Sequence, residues 1–163
     1  MKKSILMIAI LAVAGVATAV AQPRAIGANI GYGVDVSYQH SLGEANMLDL
    51  SVNIPMFNGI GATCTYDWIN PFNTAIPWNE KGEWNWSLGV GAGAGIYGFK
   101  YPTIYAGVVG HVGVSYDFWF PLQLSVDYRP NIGIYYATAT DSAPLGFNTD
   151  GFYGVTLGVR YLF

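Results

Sequence analysis

Apolar and polar residues alternate, position by position, through almost all of the chain after its first two dozen residues. The pattern is plainest at the end. Tyr153, Val155, Leu157, Val159, Tyr161 and Phe163 fall on one face, and Gly154, Thr156, Gly158, Arg160 and Leu162 on the other. Side chains of a strand point to opposite faces in turn, so a period of two specifies a strand with two different environments. The same pattern runs through 26–30, 34–39, 48–54, 62–68, 84–96, 108–118 and 122–129. Eight strands result. A tilted strand of about ten residues crosses a bilayer. Residues 22–163 allow roughly 18 residues for each strand with its connection.

Two rival readings meet this pattern. Residues 24–41 can be read as one long strand, which gives seven strands and leaves the chain ends on opposite sides. Single-chain bacterial barrels have even strand numbers, so the run is broken at Gly31-Tyr32-Gly33, where glycine suits a tight turn. In residues 84–99, Gly91 and Gly95 have the spacing of packed membrane helices. Glycine recurs there at every second position, however, which is the strand period.

Composition narrows the class. Hydrophobic residues make up 52% of the chain and charged residues only 10%, against about 25% in ordinary soluble domains. The net charge of −3 gives no basic surface for nucleic acid. Residues 1–21 read as a secretory signal: Lys2 and Lys3, an apolar stretch from Ile5 to Val16, then Ala19-Val20-Ala21 with cleavage after Ala21. Export through the Sec pathway is expected, with 22–163 as the barrel. The single Cys64 has no intramolecular partner and reads as a small packing residue.

Alternation alone does not say which face is inside, because a soluble ligand-binding barrel alternates too. Three features favour the apolar set facing out. The polar set is small (Gly, Ser, Thr, Asn and Asp), as a narrow filled lumen requires. Prolines are expected at turns and strand ends (Pro55, Pro71, Pro77, Pro102, Pro121, Pro130 and Pro144). With both barrel ends in the periplasm, Trp68, Trp78, Trp84, Trp86 and Trp119 fall at or beyond the periplasmic strand ends. Tyr116, Phe118, Tyr161 and Phe163 join them. Tyr32, Phe57, Tyr101, Tyr135, Phe152 and Tyr153 fall near the other boundary. Two aromatic girdles mark a transmembrane barrel.

The chain resembles small eight-stranded outer-membrane barrels of the OmpX/OmpA-transmembrane-domain kind, in the short form common in Bacteroidota. The resemblance is carried by Ser37-Tyr38-Gln39-His40-Ser41-Leu42-Gly43 with Asn46, by Pro121 to Pro130, and by the ending Gly158-Val159-Arg160-Tyr161-Leu162-Phe163. It implies an all-β, eight-stranded antiparallel up-and-down transmembrane barrel in the bacterial outer membrane, with outer-membrane lipid around it. It also implies insertion by the barrel-assembly machinery, with Val159, Tyr161 and Phe163 in the assembly signal. Members serve as adhesins, structural barrels or lipid enzymes.

Eight strands leave an interior that side chains just fill, so a general porin is not expected. Asp35, Asp49, Asp67, Asp117, Asp127, Arg129, Arg160 and His111 face inward. Asp49, Asp67 and Asp117 are expected near the periplasmic end, level with Arg160. Asp127 and Arg129 are expected higher, with Asp35 near the outer mouth. Buried charges need partners, and three Asp to one Arg leaves a carboxyl to take up a proton or reach water. A structural plug is the expected role. Lipid A deacylases and palmitoyltransferases of this architecture use His with Ser and an acid. Here His111 has only Ser115 as its nearest same-face serine, and His40 lies at the periplasmic end. No catalytic set, cofactor or metal site is expected; a lipid-modifying enzyme and a small channel are the alternatives. Four outer connections arise, at 31–33, 55–61, 97–103 and 137–151. Strands from Trp84 onward run to about 14 or 15 residues, longer than one crossing needs. A lopsided outer rim, with the 137–151 loop or a sheet edge offered to an extracellular protein or glycan, is the expected binding surface.

Overall fold

The computed structural model describes residues 23–31, 33–55, 58–72, 81–98, 101–138, 145–148 and 154–163. The proposed signal segment, Trp78, Tyr32, Phe57, Phe152 and Tyr153 lie outside them. Ten antiparallel strands are present among the described residues: β1 (Pro23–Ile30), β2 (Gly33–Ser41), β3 (Asn46–Pro55), β4 (Gly59–Pro71), β5 (Gly82–Tyr97), β6 (Thr103–Phe118), β7 (Leu122–Tyr128), β8 (Asn131–Ala137), β9 (Leu145–Asn148) and β10 (Val155–Leu162). They form eight staves. β7 and β8 both pair with β6 and make one stave, while β9 and β10 lie beside β8 and β7 and make the next. β1 joins β10 to β2, and β5 pairs with β6 from Gly82↔Phe118 to Tyr97↔Thr103, which closes the barrel. The stretch from 84 to 96 is strand throughout, so the helical reading of its glycines fails.

The first hairpin breaks where expected, with Ile30 paired to Val34. The reason is different, though. Neither Gly31 nor Gly33 has positive φ. A Cβ on Gly31 would overlap the Val155 carbonyl, and one on Gly33 the Ile54 carbonyl, so close approach of neighbouring backbones selects glycine here.

The barrel is inverted relative to a water-soluble one. Val108 and Leu157 are 60% and 62% exposed on the outside, while Asp67, His111 and Arg160 are at most 1% exposed inside. Cys64 lies on this outer face and is exposed, not packed in a core as its sequence context suggested. Pro130 falls at a strand end, as expected, but not at the rim of the barrel. It sits within a stave, between β7 and β8, and not at a turn. Gly110 accommodates it: the Gly110 N–H donates to the Pro130 carbonyl at 2.9 Å, and the missing side chain leaves room for the pyrrolidine ring.

Inward glycines make the narrow lumen possible. A side chain on Gly89 would overlap the Asp67 carboxylate, and one on Gly95 or Gly61 would overlap the Tyr105 phenol. The small positions thus face the large lumen groups across the barrel wall.

The rim is uneven. One row of partners runs through Gly33, Pro55, Gly59, Tyr97, Thr103 and Ala137, each at or next to a strand end. Staves of a barrel are tilted, so a rim that follows such a row climbs as it goes round. On the far side β1 ends at Ile30, opposite Leu157, which pairs with Val126. Leu145 pairs with Tyr136, ten positions further along the seventh stave. At about 3.3 Å per residue this is a step of roughly 33 Å along the stave. At its top β9 pairs with β8 alone among the described residues.

Candidate functional site: the lumen and its upper cup

The lower end of the lumen is where β1 begins and β10 ends. Ala25, Met47 and Ile69 are buried there and form an apolar floor. Beside them Arg24 Nη2 donates to Asp117 Oδ2 at 3.1 Å. The pairing of β1 with β2 shifts register between Pro23 and Ala25. A bulge of this kind re-aims a side chain, and it takes Arg24 out of the alternation that would place it on the outer face.

Above the floor lies a charged layer. Arg160 Nε donates to Ser37 Oγ at 2.9 Å. Its Nη1 donates to Gln123 Oε1 (3.1 Å) and Ser125 Oγ (2.6 Å), and its Nη2 to Asn29 Oδ1 and Asp127 Oδ2 (both 2.9 Å). Guanidinium has five N–H donors, and all five are used. His111 Nδ1 lies 2.7 Å from Asp67 Oδ1 and its Nε2 lies 3.0 Å from Asp127 Oδ1. A ring with a carboxylate on each nitrogen is matched by the doubly protonated form, which carries an N–H on both sides. Arg129 Nη2 donates to Asp49 Oδ2 at 3.0 Å and Nη1 to Ser51 Oγ at 3.1 Å.

These pairs revise the expected depth layers. Arg160 meets Asp127 and none of the three lower carboxylates, while Arg129 reaches down to Asp49. Tilted staves put residues at equal distances from strand ends at unequal heights, and long Arg side chains cross what remains. The expected excess of acid also closes. Asp49, Asp67, Asp117 and Asp127 each face one of Arg129, His111, Arg24 and Arg160. Arg24 and a cationic His111 were the two charges the sequence count left out. Asp35 remains: it accepts a hydrogen bond from Asn29 Nδ2 and has no ion-pair partner among the described residues.

Above this layer the lumen opens into a cup of about 420 Å³, lined by Asp35, Asn53, Thr63, Arg129, Asn131 and Thr156 among others. Tyr97, Tyr105 and Tyr135 form its aromatic wall, the first two stacked with ring centroids 4.6 Å apart. Tyr135 lies at the height expected for the upper girdle but faces into the cup, and the outward tyrosine is Tyr136. In the sequence, inward Tyr and Asn positions at the ends of long strands are the one signal of the cup.

On the outer surface, Trp68, Trp84, Trp86 and Phe118 lie in the lower part of β4, β5 and β6, with Trp119 just beyond. Ring pairs link Trp84 to Tyr116, Tyr116 to Phe118 and Tyr66 to Trp68 at 4.7–5.1 Å. In β10 and just after it, Val159, Tyr161 and Phe163 are exposed on the same outer side, with Tyr161 and Phe163 edge to face at 5.3 Å. Among the described residues no group of three or more His, Cys, Asp or Glu side chains is placed to hold a metal ion. No family model, no curated protein and no solved structure matches the chain.

Proposed function

We propose that the protein is an integral outer-membrane barrel of the small OmpX/OmpA-transmembrane-domain kind, in the short Bacteroidota form, that binds a partner at the cell surface. The inversion of the barrel carries this reading. An apolar outer belt costs free energy in water over its whole area, and a bilayer removes that cost. The aromatic residues in the lower part of the outer surface suit a membrane interface. Outer-membrane lipid and the barrel-assembly machinery are the implied partners, the latter reading Val159, Tyr161 and Phe163.

The surface-binding part rests on the stepped rim. Part of the expected 137–151 loop is strand: β9 carries Leu145 and Phe147, exposed at 63% and 68%. Residues 139–144 and 149–151 lie outside the described residues. An unpaired edge recruits an extended segment by strand addition. The lumen argues against a porin, since its charged layer is closed by ion pairs. It argues against an enzyme too, because both nitrogens of His111 are held by carboxylates and neither is free to activate a nucleophile.

Deletion of residues 140–148 removes all of β9 and tests this reading. Cells carrying the shortened protein are expected to lose most of their protein-dependent adhesion, with unchanged amounts of folded barrel in the membrane. Adhesion equal to that of the intact protein would reduce the role to a structural one.

A further inference from the structure

We propose that the upper cup is a binding site for a neutral hydroxylated ring, such as a terminal sugar of a glycan or a short oligosaccharide. The cup lies inside the barrel, with Tyr135 of its wall next to β9, and makes a second, chemically different recognition site. Its volume of about 420 Å³ is within the range of roughly 300–1,000 Å³ typical of small-molecule pockets.

The polar groups of the cup select the ligand. Asn53 Oδ1, Asn131 Oδ1, Thr156 Oγ1 and Arg129 Nε belong to residues lining the cup, and each is buried without a hydrogen-bond partner. The Arg129 side chain is nine-tenths buried, at 10% exposure. Each of the four atoms has almost no accessible surface as the cup stands, with Asn53 Oδ1 against Gly61 and Asn131 Oδ1 against Gly107, so a ligand meets them by turning the side chain into the cup. A buried polar atom left unpaired costs about 1–3 kcal/mol, which favours that turn. The demand is mixed: two carbonyl oxygens need donors, the guanidinium N–H needs an acceptor, and the hydroxyl takes either. A hydroxyl group supplies both roles, whereas an ammonium group only donates and a phosphate or carboxylate only accepts.

Charge points the same way. Asp35 is 8% exposed and has no ion-pair partner among the described residues, which disfavours an anion. Arg129 is already engaged by Asp49 and Ser51, so it is not a free anion receptor. The tyrosine wall gives flat apolar area against which the C–H face of a sugar ring packs. The ion-paired layer and the apolar floor close the lower end, so the cup is blind. The ligand stays in it and does not pass through.

The test uses the full mature protein refolded in detergent micelles. Glucose, galactose, mannose, N-acetylglucosamine, lactose, maltose and chitobiose are titrated by calorimetry and by saturation-transfer NMR at millimolar concentration. At least one of these neutral sugars is expected to bind. The double variant Asn53→Leu/Asn131→Leu, which keeps the branched shape of the side chain and removes both amides, is expected to weaken it by about tenfold or more. Glucosamine and glucose 6-phosphate, which add a positive and a negative charge, are expected to bind no better. Absence of binding by every neutral sugar overturns the proposal and leaves a cup filled by water. Binding that the double variant does not change overturns it too, by placing the sugar elsewhere. Preferred binding of glucosamine or of the phosphate ester would reassign the ligand class and overturn it as stated. The gel mobility of each unboiled sample reports folding separately, so failure of the sugar site is distinguishable from failure of the barrel reading.

Discussion

Replacing Arg160 with Ala is expected to remove about 3–5 kcal/mol of stability, the usual cost of breaking a buried ion pair by deleting one partner. Domains are stable by only about 5–15 kcal/mol, so the loss is a large part of the whole. The magnitude follows from the geometry. All five guanidinium donors are engaged, on four different staves: Asn29 on β1, Ser37 on β2, Gln123, Ser125 and Asp127 on β7, and the arginine itself on β10. Truncation leaves the Asp127 carboxylate with His111 and Ser125 only, and strips partners from Asn29 and Gln123 in a lumen that excludes most water. Arg160→Lys is expected to recover a minor part, since an ammonium has three donors and no fork. Arg160→Met combined with Asp127→Asn is expected to be less unstable than Arg160→Met alone, because no charge is then left unpaired on that side. Urea unfolding in lipid vesicles, followed by tryptophan fluorescence, measures all four. An unchanged midpoint for Arg160→Ala would mean the lumen network contributes nothing to stability.

Gly91→Val is expected to abolish folding, with no heat-shifted band on a gel. A Cβ at this position would overlap the Cys64 carbonyl oxygen and lie 2.6 Å from Thr65 Cα, and both are backbone atoms of the adjacent stave. A flexible side chain can swing away; a hydrogen-bonded strand in a closed barrel moves only if the ladder opens. The control is Ala94→Val, three residues on and facing out, where the exposed surface accommodates the added volume. The pair separates crowding of the lumen from the general effect of a branched residue, which strands favour. Folding of Gly91→Val at wild-type yield would show that the barrel wall at this point is wider than 2.6 Å contacts allow.

The difference between what was legible in the sequence and what was not has a physical basis. Period-two alternation is a local property, and it located all eight staves and assigned their faces. Val34, Val36 and Asp35, for example, need no knowledge of any other strand. Side-chain partnership is not local. Arg160 and Asp127 are neighbours because β10 and β7 pair with a particular stagger, and Arg129 meets Asp49 across the lumen. Neither relation leaves a mark on sequence spacing. Arg24 turned inward because a register shift interrupted the rule that would have placed it outside. Pro130 was tolerated within a stave because Gly110 faced it. β9 is not legible in the sequence because four residues, Leu145-Gly146-Phe147-Asn148, are too few for alternation to stand out in a polar segment. The cup is hidden for a related reason, since its residues come from the ends of several long staves, where alternation assigns a face but not a neighbour.

This barrel is turned inside out, and the place proposed for it on that ground is a membrane. Fractionation of cells expressing the full chain tests it most directly, with the carbonate-washed membrane pellet run on a gel before and after boiling. The protein is expected in the outer-membrane pellet, with an unboiled band that migrates differently from the boiled one. Recovery in the soluble periplasmic fraction, with one mobility under both conditions, would rule out a membrane barrel.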